Sequence, residues 1–328
     1  MKTLSFVRIL GTGSFAPAKI LSNFDLERIV DTSDEWITKR TGIKERRIAE
    51  EDVASSDLGY EASVNAIKNS SIDLADIDGI IVATTTPDYL FPSTACILQQ
   101  RLSITKGFAF DLLAACSGFL YALQVGKVMI DSGSAENLLI VGAETYSKII
   151  NYNDRTTCVL FGDGAGATVI TKSDAPGIMS IKISADGRYG DLLTLPGGGS
   201  RVPVTEESAK NGSHYLQMKG RDVFKIAVKR MQDSIIEVLE DAGIAPNQID
   251  LFIPHQANYR ILDALRERLD IGKEKVYSNL DKYGNTSAAS IPIALDEAIQ
   301  EGRAKEGDTI LFSTFGGGLT WGSALIKL

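Results

Sequence analysis

Cys116 follows a small-residue turn and opens an apolar helical stretch from Ser117 to Ile130. A thiol at a helix N-terminus meets free N–H groups and the positive end of the helix dipole, both of which favour the nucleophilic thiolate. A lone cysteine in apolar surroundings is otherwise a small core residue, so position alone leaves both roles open. Two histidines exist. His214 lies in a polar segment expected at the surface, whereas His255 ends the apolar run Ile249 to Ile253 and sits between Pro254 and Gln256. A buried histidine is either a satisfied structural residue or a group held for chemistry. Asn285, in the turn Tyr283-Gly284-Asn285-Thr286 before the helical stretch Ser287 to Gln300, reads equally as a turn or cap residue. Each has an ordinary structural role alone, but a thiol, an imidazole and an amide coinciding at element ends are less easily dismissed as structural.

The elements that position these residues repeat. The helical stretch Asp57 to Asn69 leads into the strand Ile77 to Val82 and the helical stretch Pro92 to Leu102. The same order returns as Phe224 to Ala242, Ile249 to Ile253 and Asn258 to Leu269, about 172 residues later. The strands Leu138 to Val141 and Thr309 to Phe312 continue the offset, each after a helix ending at a glycine. One duplication predicts an α/β protein of two related halves, residues 1–174 and 175–328, divided among the breakers between Lys172 and Gly177. Cys116 and Asn285 then occupy related helix starts, and His255 a strand end related to Thr84. Such ends face a shared crevice in duplicated α/β folds.

Composition narrows the classes. With 44% hydrophobic and 23% charged residues the chain is globular, and a net charge of −8 disfavours nucleic acid. No stretch approaches the roughly 18 to 20 apolar residues of a membrane span. The short apolar start is broken by Arg8 without a small-residue cleavage site, so a cytoplasmic protein is expected. Cys96, Cys116 and Cys158 lack the number and spacing of a disulfide framework or zinc site. Cys96, in a helix, and Cys158, in a strand Cys158 to Phe161, are read as packing. Gly11-Thr12-Gly13 imitates a dinucleotide loop, but Pro17 interrupts it. Gly162 to Gly166 and Gly316 to Gly318 are expected to be loops of close backbone approach, and Gly197 to Gly199 a flexible loop.

Four segments together resemble β-ketoacyl-[acyl-carrier-protein] synthase III: Asp111 to Gly118, Pro254 to Asn258, Tyr283 to Ser287 and Phe315 to Gly322. The likeness extends to Ile37 to Ile43 and Phe161 to Gly166. It implies the five-layered αβαβα thiolase fold, a homodimer, and the catalytic set Cys116, His255 and Asn285. Related elongating enzymes carry Cys, His, His instead. By this resemblance Cys116 takes an acyl group from acyl-CoA. His255 and Asn285 then stabilise the enolate formed as malonyl-[acyl carrier protein] loses carbon dioxide. The backbone N–H groups of Cys116 and Gly318 form the oxyanion hole.

The resemblance also implies that Trp36, Arg40 and Arg155 hold the adenine end of CoA and that Asn258 lines the pantetheine arm. It places Phe91 and Phe315 near the acyl pocket. Lys225, Lys229, Arg230 and Arg260 form a basic face for the acidic carrier protein, the alternative being an ordinary solvated helix face. For Trp36 the alternative is core packing. No metal, nicotinamide or flavin is implied, since CoA and phosphopantetheine thioesters are substrates.

Three rivals share parts of this pattern. A CoA-only condensing enzyme, such as a type III polyketide or alkylketone synthase, shares the Cys, His, Asn set but has no use for the basic face. A silent acyl-binding relative would be expected to lack one of the three residues. A nicotinamide-dependent oxidoreductase would need the Gly11 segment as a phosphate loop.

Overall fold

Apolar runs buried on both faces form strands of closed sheets, and the chain supplies two sets of them. The computed structural model describes residues 6–328; the start of the chain, considered above for a signal segment, lies partly outside them. Strands β1 (Phe6–Phe15), β2 (Gly79–Ala83), β3 (Phe108–Leu112), β4 (Asn137–Thr145) and β5 (Asp163–Ser173) form one sheet in the order β1-β5-β4-β2-β3. Strands β6 (Ile178–Ala185), β7 (Leu251–Pro254), β8 (Thr309–Gly316) and β9 (Thr320–Lys327) form the second, in the order β6-β9-β8-β7. The registers repeat as well as the order. Ile80 faces Leu139 in the parallel pair β2–β4, and 172 residues on Phe252 faces Leu311 in the parallel pair β7–β8. The partner expected beyond β7 is reduced to a single bridge between Phe252 and Val276.

Seven helices matter for the site: α1 (Asp34–Thr41), α2 (Ser55–Ser70), α3 (Thr94–Arg101), α4 (Gly118–Asp131), α5 (Gly220–Ala242), α6 (Tyr259–Arg268) and α7 (Ser290–Gln300). Helices α2 and α3 cover the outer face of the first sheet, and α5 and α6 that of the second. Between the sheets lie α4 and α7, completing five layers. Strand alternation divides the side chains. Ile81 and Ala83 of β2 point with Ile253 and Phe312 into the middle layer, while Ile80 and Val82 pack outward on Leu58 and Ala62. The chain passes from one sheet to the other between Ser173 and Ile178.

Several local expectations give way. Gly11 and Gly13 lie inside β1, where a Cβ would strike the backbone of α2 at Ser70 and Ala66. These glycines let a helix approach a strand and form no phosphate loop, which removes the oxidoreductase reading. Gly164 and Gly166 likewise belong to β5, where a Cβ would stand 2.9 and 2.7 Å from atoms of Ile293 on α7. The run Cys158 to Phe161 is a series of turns, not a strand, with Phe161 alone bridging Asn285. Its side chains are buried in a separate cluster with Ile37 and Ile43, and apolar content without alternation does not distinguish that from a strand. Cys96 is on α3 but exposed, so it is not a packing residue.

Candidate active site

The nucleophile turn is assembled from both halves. After β3, Leu113 and Ala114 lead into one tight helical turn, Ala115–Ser117, that runs directly into α4. Ala115 is held at φ 47°, a conformation costly for any residue with a Cβ, and Cys116 is buried. Residues of the second sheet fix this turn: Thr314 Oγ1 donates to the Cys116 carbonyl at 2.9 Å, and Thr320 Oγ1 to the Ala114 carbonyl at 2.9 Å. Gly316 of β8 comes so close that a Cβ would stand 2.7 Å from the Cys116 nitrogen. Of the three expected loop glycines, Gly316 therefore lies in a strand. Gly318 sits in the turn to β9 at φ 135°, a value that requires glycine.

Asn285 and His255 enter from the second half. Asn285 is clamped through its backbone, donating to Leu160 O at 2.8 Å and accepting from Gly162 N at 3.0 Å. Its Oδ1 accepts the Ser287 N–H at 2.8 Å, which directs the amide NH2 away as a donor. The turn after it, Ser287–Ala289, packs on the Cys116 turn; a Cβ at Gly118 would lie 3.4 Å from that of Ala288. His255 leaves β7 with its N–H on Ser313 O at 2.8 Å, and its Nδ1 is 2.6 Å from Ser290 Oγ at the start of α7. Ser290 Oγ also receives the Gln256 N–H at 3.4 Å and keeps its own proton to donate; when that proton goes to Nδ1, the tautomer has its ring hydrogen on Nε2. Burial pushes the imidazole down to about 3, leaving a neutral N–H donor. No hydrogen bond joins His255 to Cys116 among the described residues.

The thiol departs from the expected electrostatics. Burial pushes Cys116 up to about 12; the Ser287 hydroxyl acts downward and the Glu144 carboxylate upward. The helix start alone does not hold a thiolate in this dry site. Ser290, Thr314 and Glu144 were not singled out in the sequence. Ser290 had a signal in its place three residues beyond the Asn285-Thr286-Ser287 run, and Glu144 in being an acid that ends an apolar strand.

The remaining candidates divide. Trp36 on α1 is partly exposed, with the guanidinium of Arg155 5.1 Å and that of Arg40 6.0 Å from its ring centroid. Core packing is therefore excluded for Trp36, and Arg155, distant in sequence, joins Trp36 and Arg40 of one helix in a surface clasp. Asn258 caps α6, its Oδ1 accepting the Arg260 N–H at 2.9 Å. Phe315 is buried, whereas Phe91 is 86% exposed on a loop with Leu90, so one chain does not bring these two together. On the basic face Lys225 is exposed, Lys229 pairs with Asp233 at 3.2 Å and Arg260 stands over Phe224. Arg230 stands over Trp321 and 3.9 Å from Asp186, with 35% of its side chain open to solvent. No helix among the described residues is long and apolar enough to cross a membrane.

Two duplicated α/β halves, with a cysteine at a middle-layer helix start and a histidine and asparagine from the other half, define a thiolase-fold condensing enzyme. Comparison with known proteins narrows the class. The family model for 3-oxoacyl-[acyl-carrier-protein] synthase III matches residues 110–187, and that for its C-terminal part matches residues 239–328. The β-ketoacyl-[acyl-carrier-protein] synthase III of Caldanaerobacter subterraneus subsp. tengcongensis is 55% identical over 320 residues, 97% of each chain. The crystal structure of the Aquifex aeolicus VF5 synthase III superposes with a TM-score of 0.92 at 50% identity, covering 98% of this chain and all of that one. This chain belongs to the β-ketoacyl-[acyl-carrier-protein] synthase III family, the initiating condensing enzymes of bacterial fatty acid synthesis. Xanthomonas campestris OleA, at 22% identity and TM-score 0.86, shares the fold alone.

Proposed function

We propose that this chain joins acyl-CoA and malonyl-[acyl carrier protein] to give 3-oxoacyl-[acyl carrier protein], CoA and carbon dioxide through an acyl-Cys116 intermediate. The observation that carries the reading is the division of labour in the middle layer. One turn holds the thiol, and the facing half supplies a buried Asn285 whose Oδ1 is already engaged and a neutral His255 that makes no hydrogen bond to Cys116, which supports the reading of both as donors. Cys116 attacks the acyl thioester and CoA departs. Malonyl thioester then occupies the same site, and the two donors stabilise its oxygen as carbon dioxide leaves. A neutral imidazole suits this role, because a donor positioned in advance needs no charge brought into a dry site. The resulting carbanion attacks the acyl carbon, whose oxyanion is received by the Cys116 and Gly318 N–H groups.

Trp36, Arg40 and Arg155 suit the adenine and phosphates of CoA through stacking and charge, and Asn258 accompanies the pantetheine arm. Lys225, Lys229 and Arg260 receive the carrier protein. The active form is a homodimer. The edge strand β3 and the exposed apolar residues Leu113, Leu90 and Phe91 provide its contact, and Phe91 of the partner subunit closes an acyl pocket that Phe315 lines from within. The reaction takes place in the cytoplasm without a resident cofactor.

The test separates the two half-reactions. Cys116→Ala should end acyl-enzyme formation, followed by intact mass, while retaining malonyl decarboxylation. His255→Ala should accept the acyl group but decarboxylate on the order of 10²- to 10³-fold more slowly, the usual cost of one oxyanion donor. A folded His255→Ala protein that decarboxylates normally and cannot be acylated would sink the reading, because His255 would then be the base for Cys116.

A further inference from the structure

One buried cation has no task in the steps above. Arg46, in the short strand Glu45–Arg47, is fully buried. Its Nη1 donates to the Leu21 carbonyl at 3.0 Å and to Asn23 Oδ1 at 2.9 Å, and its Nη2 to the Val159 carbonyl at 2.8 Å. None of these acceptors is a carboxylate. Burial pushes the guanidinium down to about 10, which leaves it charged at neutral pH. A buried charge held by neutral acceptors alone is costly, and both sides of this guanidinium lead to the site.

One side leads to Asn285. The run 158–162 is a series of turns whose own hydrogen bonds stay local, from the Cys158 N–H to Asp154 O at 3.0 Å and from the Leu160 N–H to Thr157 O at 3.0 Å. Apart from the single bridge between Phe161 and Asn285, no strand pairing fixes its position among the described residues. Yet this run brackets Asn285, with Leu160 O receiving its N–H and the Gly162 N–H meeting its carbonyl. Arg46 holds the run at Val159, one residue before the bracket, and its stem lies between Gly162 and Gly284. A Cβ at Gly162 would stand 3.0 Å from that of Arg46, and one at Gly284 3.4 Å. The other side leads to α1. Asn23, also fully buried, accepts from Arg46 and donates its Nδ2 hydrogens to Asp34 Oδ1 at 2.9 Å and Ile43 O at 2.8 Å. The guanidinium fork is thereby fixed on one side before it reaches Val159 on the other.

We propose that Arg46 is a positioning residue for malonyl decarboxylation, holding the turns 158–162 so that Asn285 presents its amide to the thioester oxygen. Arg46 acts through the Val159 carbonyl and the Asn285 backbone, not by touching substrate. Lysine cannot replace it, because one ammonium does not reproduce a planar fork whose two nitrogens serve separate segments. An arginine that only completes the core predicts lost stability and no selective loss of one half-reaction. A positioning residue predicts a loss confined to the step that uses Asn285. The proposal rests on the reading of Asn285 as a donor in decarboxylation.

A double-mutant cycle separates the two. Decarboxylation of saturating malonyl-[acyl carrier protein] is measured in the parent, Arg46→Lys, Asn285→Ala and the double variant, and acylation of Cys116 by saturating acyl-CoA is followed alongside by intact mass. Displacing the donor by a fraction of an ångström should slow decarboxylation about tenfold in Arg46→Lys, since about 1 Å costs on the order of 10²-fold. Acylation should stay within about two-fold of the parent. In the Asn285→Ala background Arg46→Lys should add no further slowing, because the group it positions is gone. Parental decarboxylation in folded Arg46→Lys overturns the proposal, as do losses that multiply in the double variant or an equal loss in acylation. If Arg46→Lys does not fold, the same cycle with Arg46→Met decides, since that side chain brings no charge into the core. Failure of both to fold makes Arg46 a structural residue alone and overturns the proposal too. Parental decarboxylation by Asn285→Ala refutes the underlying assignment separately.

Discussion

Gly316→Ala tests whether the second half holds the nucleophile turn in place. The added Cβ would stand 2.7 Å from the Cys116 nitrogen and 3.0 Å from that of Ser117, against 3.4 Å or more in ordinary contact. Both neighbours are backbone, so no side chain can swing aside. Strand β8 has little freedom to retreat, being paired with β7 on one side and β9 on the other, where Gly316 faces Thr320. The Cys116 turn must therefore shift by roughly half an ångström, and since about 1 Å of misplacement costs on the order of 10²-fold, acylation should slow about tenfold. Overpacking should also cost about 1 to 3 kcal/mol of stability, which lowers the melting temperature by several degrees. Intact-mass kinetics on the folded variant measure the first effect and calorimetry the second. A lowered melting temperature with parental acylation would show that the strand yields instead of the nucleophile turn, and would refute the positioning argument.

Charge reversal at Lys225 or Arg260 should raise the KM for malonyl-[acyl carrier protein] in a salt-dependent way and leave acylation of Cys116 unchanged, whereas equal losses in both half-reactions would place these residues in the active site. Trp36→Ala should raise the KM for acyl-CoA by about tenfold without altering carrier-dependent decarboxylation, because it removes the ring against which Arg155 and Arg40 stand; an unchanged KM excludes the clasp. Initial rates with both substrates varied should give parallel lines, since CoA leaves before the carrier substrate reacts, and intersecting lines would count against a free acyl-enzyme. Acid should weaken the fold through His255. The unfolded chain takes a proton near 6.5 that the folded one refuses until about 3, so this group's contribution falls by about 1.4 kcal/mol per pH unit as pH drops below 6.5. Glu144 acts oppositely: its carboxyl, raised from 4.5 to about 6, contributes stability at low pH that is lost as pH rises through 6. Denaturant titrations of His255→Gln should show the flatter acid slope, and an unchanged slope would mean that the imidazole is not held neutral.

The main strands were legible because both sheets are buried on two faces, so runs such as Leu138 to Val141 stand out as continuous apolar segments. The duplication was legible because spacing survives where residue identity has changed: Ile80 faces Leu139 and Phe252 faces Leu311 at the same separation. Polar partners were not legible. Nothing in the order of residues says that Ser290 meets His255, because that pairing depends on which helix start lies under which strand end. The neighbours of the basic face were hidden for a related reason. Arg230 has the helical spacing of an exposed residue, and nothing local says that Trp321 and Asp186 from other elements lie beside it.

The duplicated backbone also places different side chains at equivalent positions. Ala115 and Ser287 stand 172 residues apart, and both are forced into the left-handed region, at φ 47° and 49°. The two middle-layer turns therefore share one strained geometry and lead directly into the helices α4 and α7. Equivalent places carry different groups. Cys116 corresponds to Ala288 and Leu113 to Asn285, and the register relates His255 to Ala83 and not, as expected from the sequence, to Thr84 one residue on. One turn keeps the thiol and has no side-chain amide or imidazole at the equivalent places, and the other half keeps the amide and the imidazole and has no thiol. An asymmetric pair of this kind can hold a covalent acyl group on one side and develop negative charge on the other without the two functions competing for the same side chains. This is the arrangement a two-stage condensation requires.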